Sequence, residues 1–180
     1  MNRTIIGAAV VAALTMTGLS AHASCVDART AGQQGAVHTM PDSVLKSLVP
    51  EYAARGGRAA ENIVGTWHVT YTVEGAPFAE AFIQWHRDGT EWENINLPVL
   101  SGNICMGEWK AVDETHVFRN HIGWLYTNGT LTGYFTETET DLVSRDGSSY
   151  TGTNEQKIFD LEGKLQVDVT GTSSAKRIAP

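Results

Sequence analysis

Positive charge is scarce in this chain. Thirteen Lys and Arg stand against twenty Asp and Glu over 180 residues, a formal net charge of −7. No basic run could release counterions from a phosphate backbone or dock on an anionic lipid surface, so nucleic acid is excluded as a partner. Acidity of this size serves solubility. Long apolar runs are missing beyond the N-terminus, and no stable membrane insertion is expected. Chemistry-bearing motifs are equally thin. There is no His-x-His or His-Glu-x-x-His spacing for a metal, no Gly-x-Ser-x-Gly elbow for a nucleophile, and no glycine loop free to cradle a phosphate. Neither a metal nor another cofactor is therefore expected.

What is present begins with an export pattern. Arg3 gives a short positive start, Ile5 to Leu19 form an apolar run, and Ala21-His22-Ala23 supplies the small-x-small pattern of a signal-peptidase site. The run is too short for a membrane span of roughly 20 residues. Residues 1–23 thus read as a signal peptide cut after Ala23, and the protein as periplasmic or secreted. A lipoprotein would need an aliphatic residue where His22 stands. In an oxidising compartment the two cysteines, Cys25 and Cys105, suggest a disulfide tying the mature N-terminus to the main domain. The alternative is a buried Cys105 acting as a small hydrophobe.

Residues 24–61 read as a leader with a short helix. Gly32, Gln33, Gln34 and Gly35 mark a small, polar stretch. After Pro41-Asp42-Ser43, the residues Val44, Leu45, Leu48, Val49 and Tyr52 recur at helical spacing until Gly56-Gly57. From Ile63 the period changes to two. Asp88-Gly89, Asn128-Gly129 and Asp146-Gly147 are hairpin dipeptides that tolerate positive φ. Asp113-Glu114 and Glu162-Gly163 are weaker turn candidates, and Gly75-Ala76-Pro77 and Pro98 to Gly102 look like longer loops. Eight strands result, near 63–73, 79–87, 90–97, 104–112, 115–127, 130–142, 149–160 and 164–176. Sequential antiparallel strands with short connections describe an all-β, eight-stranded up-and-down barrel over 62–180, preceded by the short helix.

Turn position sets register, and register sets which side chains share a face. Two-residue turns pair Trp85 with Trp92, Trp109 with Phe118, and Trp124 with Gly133. They also set Glu137 opposite Gln156 and Glu139 opposite Asn154. Counted this way Trp67, Trp85, Trp92, Trp109 and Trp124 all face inward, with Tyr71, Phe118 and Phe135. So do Asn94, Asn96, Asn120, Glu137, Glu139, Asn154 and Gln156, while His68, His86, Glu91, Arg119 and His121 fall outside. An unpaired buried carboxylate costs several kcal/mol or shifts its pKa, so the inward polar set is not packing material. It lines a wide, wet mouth, or binds the polar end of a ligand, or lets Glu137 act as a general acid/base.

Gly65-Thr66-Trp67, heading the first strand, resembles the Gly-x-Trp signature of lipocalins and other calycins. The resemblance covers residues 63–178 in architecture, and Gly65, Trp67 and Arg177 by motif. It implies that Trp67 packs inside the closed end of the barrel with a basic residue of the last strand over it, where Arg177 counts inward. It also implies a pocket for a small-molecule ligand. The ligand-binding candidates are Tyr71, Trp85, Trp92, Asn94, Trp109, Phe118, Asn120, Trp124, Phe135, Asn154 and Gln156. Glu137 and Glu139 are the candidate catalytic carboxylates. Two functions stay open: binding of an aromatic or apolar compound, or a cofactor-free lyase, isomerase, cyclase or hydrolase. The fold does not choose between them, and a homo-oligomer is compatible with both.

Overall fold

The computed structural model describes residues 57–179. A six-residue helix, α1 (Arg58–Ile63), leads into eight strands. These are β1 (Gly65–Val73), β2 (Ala76–Trp85), β3 (Thr90–Ile95), β4 (Ile104–Ala111), β5 (His116–Thr127), β6 (Thr130–Val143), β7 (Ser149–Asp160) and β8 (Leu165–Arg177). Each pairs antiparallel with its neighbour in sequence, and β1 pairs with β8, closing the barrel. This is the expected fold, an all-antiparallel eight-stranded up-and-down barrel. The signal peptide, the helical pattern at 44–52 and Cys25, with its suggested disulfide, lie outside the described residues.

The hairpins explain both where the expected register holds and where it fails. Asn128 and Gly129 have φ of 51° and 80°, so a two-residue turn pairs Thr127 with Thr130 as counted. The stretch Gly75-Ala76-Pro77 is not a long loop. Glu74 and Gly75, at φ 50° and 80°, make another two-residue turn, and Val73 pairs with Ala76. Elsewhere a third residue enters. At Asp88-Gly89, His86 N donates to Thr90 O (2.9 Å), so Trp85 faces Glu91 rather than Trp92. At Asp113-Glu114, Val112 N donates to His116 O (2.9 Å), so Trp109 faces Arg119 rather than Phe118. A bulge between Leu125 and Tyr126 then sets Trp124 opposite Tyr134 and His121 opposite Glu137.

Each added residue turns the following side chains to the other face. Trp92, Asn94, Phe118, Asn120 and Trp124 therefore point out of the barrel, as does Asn96, contrary to the count from sequence. Trp92 and Trp124 are 50% and 41% exposed. Glu91, Glu93, Arg119 and His121 take the inward places and are buried. At Glu162-Gly163 a three-residue loop and a bulge between Ile158 and Phe159 cancel, so Arg177 faces inward as expected, in line with Ser173 and Ala175.

One end of the barrel is plugged. Ala59 and Ile63, four residues apart on α1, share its buried face. Ala59 N donates to Glu114 O (3.2 Å), satisfying one orphan donor of the first turn. Trp67 Nε1 donates to Ile63 O (2.8 Å), satisfying an acceptor at the other end. Trp67, Tyr150, Trp85 and Trp109 pack edge to face with centroids between 4.9 and 6.0 Å. The Arg177 guanidinium lies 4.3 Å above the Trp67 ring and donates to the carbonyls of Val64 (2.8 Å) and Asn62. A Cβ on Gly65 would collide with that guanidinium, which gives the Gly-x-Trp pattern its mechanical reason. Replacing Trp67 by Ala should lower the unfolding free energy by about 3–5 kcal/mol in a urea titration. A loss below about 1 kcal/mol would contradict this packing.

Candidate functional site

Above the aromatic plug lies a charged layer. Arg119, on β5 and fully buried, extends its guanidinium among carboxylates from β3 and β6. Nη1 lies 3.2 Å from Glu93 Oε2 and 3.7 Å from Glu91 Oε2. Nη2 reaches Glu137 Oε1 (3.0 Å), Glu139 and the Tyr71 hydroxyl (3.2 Å). Its Cζ lies over the Trp85 ring, 5.7 Å from the centroid. Neighbouring groups hold the carboxylates in turn. Tyr71 donates to Glu93 Oε2 (2.7 Å), Ser173 to Glu139, and Gln156 Nε2 to Glu137 Oε2 (3.4 Å). His121 Nδ1 donates to Glu91 Oε1 (3.2 Å), and its Nε2 lies 3.7 Å from Glu137 Oε1. Glycines make the room. A Cβ on Gly152 would meet Asp141, Glu139 and Ser173, and one on Gly107 would meet His121 and Glu91.

Burial and charge divide the acids. Burial raises Glu91, but the charges of His121 and Arg119 outweigh it and hold the carboxyl below its usual range. Burial, with Glu139 and Glu93 close by, pushes Glu137 up to about 7 despite His121 and Arg119. Burial and Arg119 draw His121 down, yet Glu137 and Glu91 prevail and keep it above the usual imidazole range. Asp141 is fully buried next to the Glu139 charge, and its carboxyl is held well above the usual range. Among the described residues no donor reaches either Asp141 oxygen, and the two carboxylates converge over Gly152. The proton that Asp141 keeps is therefore the one available to bridge them.

The charged layer is the floor of a cavity of about 130 Å³ that opens at the unplugged end. Val73, Ile95, Leu97, Leu125, Ile158 and Val169 make apolar walls with Phe78 and Phe135. Tyr71, Glu93, Cys105, His121, Glu137, Asn154 and Gln156 face it from below.

No family model matches the chain, and no curated protein matches it. Several solved structures are similar, among them the following two. The structure of EF1p2_mFAP2b bound to DFHBI is 15% identical, with a TM-score of 0.49 over 67% of this chain and 98% of that one. A redesigned beta barrel, b11L5F_LGL, is 14% identical, with a TM-score of 0.43 over 71% of this chain and 100% of that one.

Of the residues singled out from sequence, Tyr71, Phe135, Glu137, Asn154 and Gln156 meet at the cavity, and Glu139 lies buried in the charged layer. Trp85 and Trp109 are inward but belong to the plug. Trp92, Asn94, Phe118, Asn120 and Trp124 lie on the outer face and take no part. The count from sequence turned Glu91, Arg119 and His121 outward, and it singled out neither Glu93, Asp141 nor Ser173 for the site. One signal was there to use. Two adjacent inward glutamates demand an inward cation, and Arg119 stands directly across the β5–β6 ladder from Glu139.

Asp141 generates a pH dependence. The folded protein keeps its proton while the unfolded chain releases it above about pH 4, near the ordinary value of 3.8. Its contribution to stability is complete below that pH and is lost as pH rises towards the folded pKa. Each pH unit over which the two states differ by one proton costs at most about 1.4 kcal/mol. Asp141→Asn removes this slope. Its urea midpoint should exceed that of the unsubstituted protein at pH 8, with the gap closing towards pH 4. A gap that widens on acidification would contradict the assignment.

Proposed function

We propose that the protein binds a small molecule of one or two rings, largely apolar, with one polar or basic end. The observation that carries this is the cavity itself, whose walls are apolar and whose floor alone is polar. Its volume of about 130 Å³ is close to that of an engineered cavity of about 150 Å³ that takes up benzene. A ligand of that size would bury its ring against Phe135, Ile158 and Val169. Its polar end would meet Glu137, Gln156 and Asn154, which are the few convergent polar groups that orient a ligand in an apolar pocket. A basic or hydrogen-bond-donating end suits a floor on which carboxylates outnumber cations. The N-terminal pattern of Arg3, the apolar run and Ala21-His22-Ala23 supports export, which would place this binding in the periplasm or outside the cell.

The floor also supports a second function. Glu137 faces the cavity beside His121, where a carboxyl could move a proton on a bound substrate in a cofactor-free reaction.

Thermal-shift and native mass-spectrometric screening of one- and two-ring amines and phenols should find compounds that bind one to one. Saturation at about 100 Kd would stabilise the fold by about 2.7 kcal/mol. Glu137→Gln should change the affinity of such a compound by about 1–3 kcal/mol, as for a charged hydrogen bond. Trp92→Ala, on the outer face, should leave it unchanged. If a reaction accompanies binding, Glu137→Gln should slow it about 100- to 10,000-fold. Failure of all such compounds to bind, or equal effects of the two substitutions, would overturn the proposal.

A further inference from the structure

We propose that Glu93, Cys105 and His121 form a binding site for a borderline divalent transition-metal ion, such as Zn²⁺ or Co²⁺, in the cavity floor. Three consecutive strands supply the donors. Glu93 on β3 is paired with Cys105 on β4, and His121 on β5 is paired with Gly107, two residues further along β4 on the same face. All three side chains are buried, and one donor atom from each lies within 4.8 Å of the others. Tetrahedral coordination, with metal–sulfur bonds near 2.3 Å and metal–nitrogen or metal–oxygen bonds of about 2.0–2.2 Å, needs only small side-chain rotations from there.

Two features separate this cluster from a chance meeting of polar groups. The Cys105 thiol is 4% exposed, lines the cavity and has no hydrogen-bond partner among the described residues. The other two donors are each held from behind with one atom spare. His121 uses Nδ1 on Glu91 (3.2 Å), leaving Nε2. Glu93 uses Oε2 on Tyr71 (2.7 Å) and Arg119 (3.2 Å), leaving Oε1. A carboxylate behind a histidine and donors behind a carboxylate are the supports that orient metal ligands. Gly123, opposite Cys105 on β5, has no Cβ, which lets the Phe135 ring and the Cys105 sulfur both approach its backbone.

The donor set selects the ion. Sulfur, imidazole and a single carboxylate favour zinc, cobalt or copper over magnesium and calcium, which take oxygen shells. On binding, the Cys105 thiol proton and the proton on His121 Nε2 leave to solvent, and the thiolate and carboxylate charges balance the dication. Three protein ligands leave one coordination position, the arrangement of sites where the metal meets a water or a ligand. That position would face the cavity beside Glu137.

The test uses the metal alone, with no organic ligand, so its failure is distinct from failure of the small-molecule proposal. The full chain is purified without reductant, treated with chelator, desalted and titrated with Co²⁺. The expected result is one equivalent bound with thiolate-to-Co²⁺ charge-transfer absorption in the near ultraviolet, lost on adding one equivalent of Zn²⁺. Cys105→Ser should remove that band and weaken binding by roughly 100-fold or more. Glu91→Gln should keep the band but weaken binding about 10- to 100-fold, an effect that simple packing would not produce. Far-ultraviolet circular dichroism confirms the fold of each variant. Absence of the band, its survival in Cys105→Ser, or a Cys105 found disulfide-bonded in the purified protein would each overturn the proposal.

Discussion

Arg119 sits at the middle of the barrel with no exposed surface, and the rest of the interior is organised around satisfying it. A guanidinium out of water costs several kcal/mol unless carboxylates and good geometry compensate. Here β3 and β6 each send two glutamates to it from opposite sides. Their number creates the opposite problem, an excess of negative charge, which His121 and the proton kept by Asp141 reduce. Glycines at 107 and 152 are the steric consequence, since long charged side chains need room to bend across a closed barrel. Removing one member would strand its partners unpaired, so the layer is specific before it is stabilising.

The charged layer also divides the interior. Below it the aromatic plug of Trp67, Trp85, Trp109 and Tyr150, closed by α1 and Arg177, excludes water. Above it the barrel is not filled. An eight-stranded barrel is just wide enough to pack solid or to hold one small ligand. This one does each at a different end. The cavity inherits its polarity from the layer beneath, so any bound molecule meets apolar walls first and carboxylates, imidazole and thiol at the bottom.

Strand number, order and closure were legible because each depends on local chemistry. Alternation marks a half-buried strand, and Asn128-Gly129 adopts positive φ wherever it stands. The Gly65, Trp67 and Arg177 contact was implied by the resemblance to the Gly-x-Trp signature, and the inward parity counted for Trp67 and Arg177 survived. Glu137 and Glu139 were placed correctly because the Asp146-Gly147 loop holds an even number of residues between Ser144 and Ser149. The inward faces of β3 and β5 were not legible. Loops of three residues after His86 and Val112, and a bulge at Leu125, each reverse parity without changing the type of residue that forms the turn.

The sequence by itself thus determined the eight antiparallel strands, the plugged end and the acidic row on β6. Only the tertiary structure decided that Arg119, His121, Glu91 and Glu93 turn inward while Trp92, Asn120 and Trp124 turn out. Hydrophobicity alone would have preferred the tryptophans inside. The physical reason is that charge pairing across strands is a non-local energy: buried Glu137 and Glu139 have to be matched by a cation from another strand. The odd loops and the bulge set the parity that delivers Arg119.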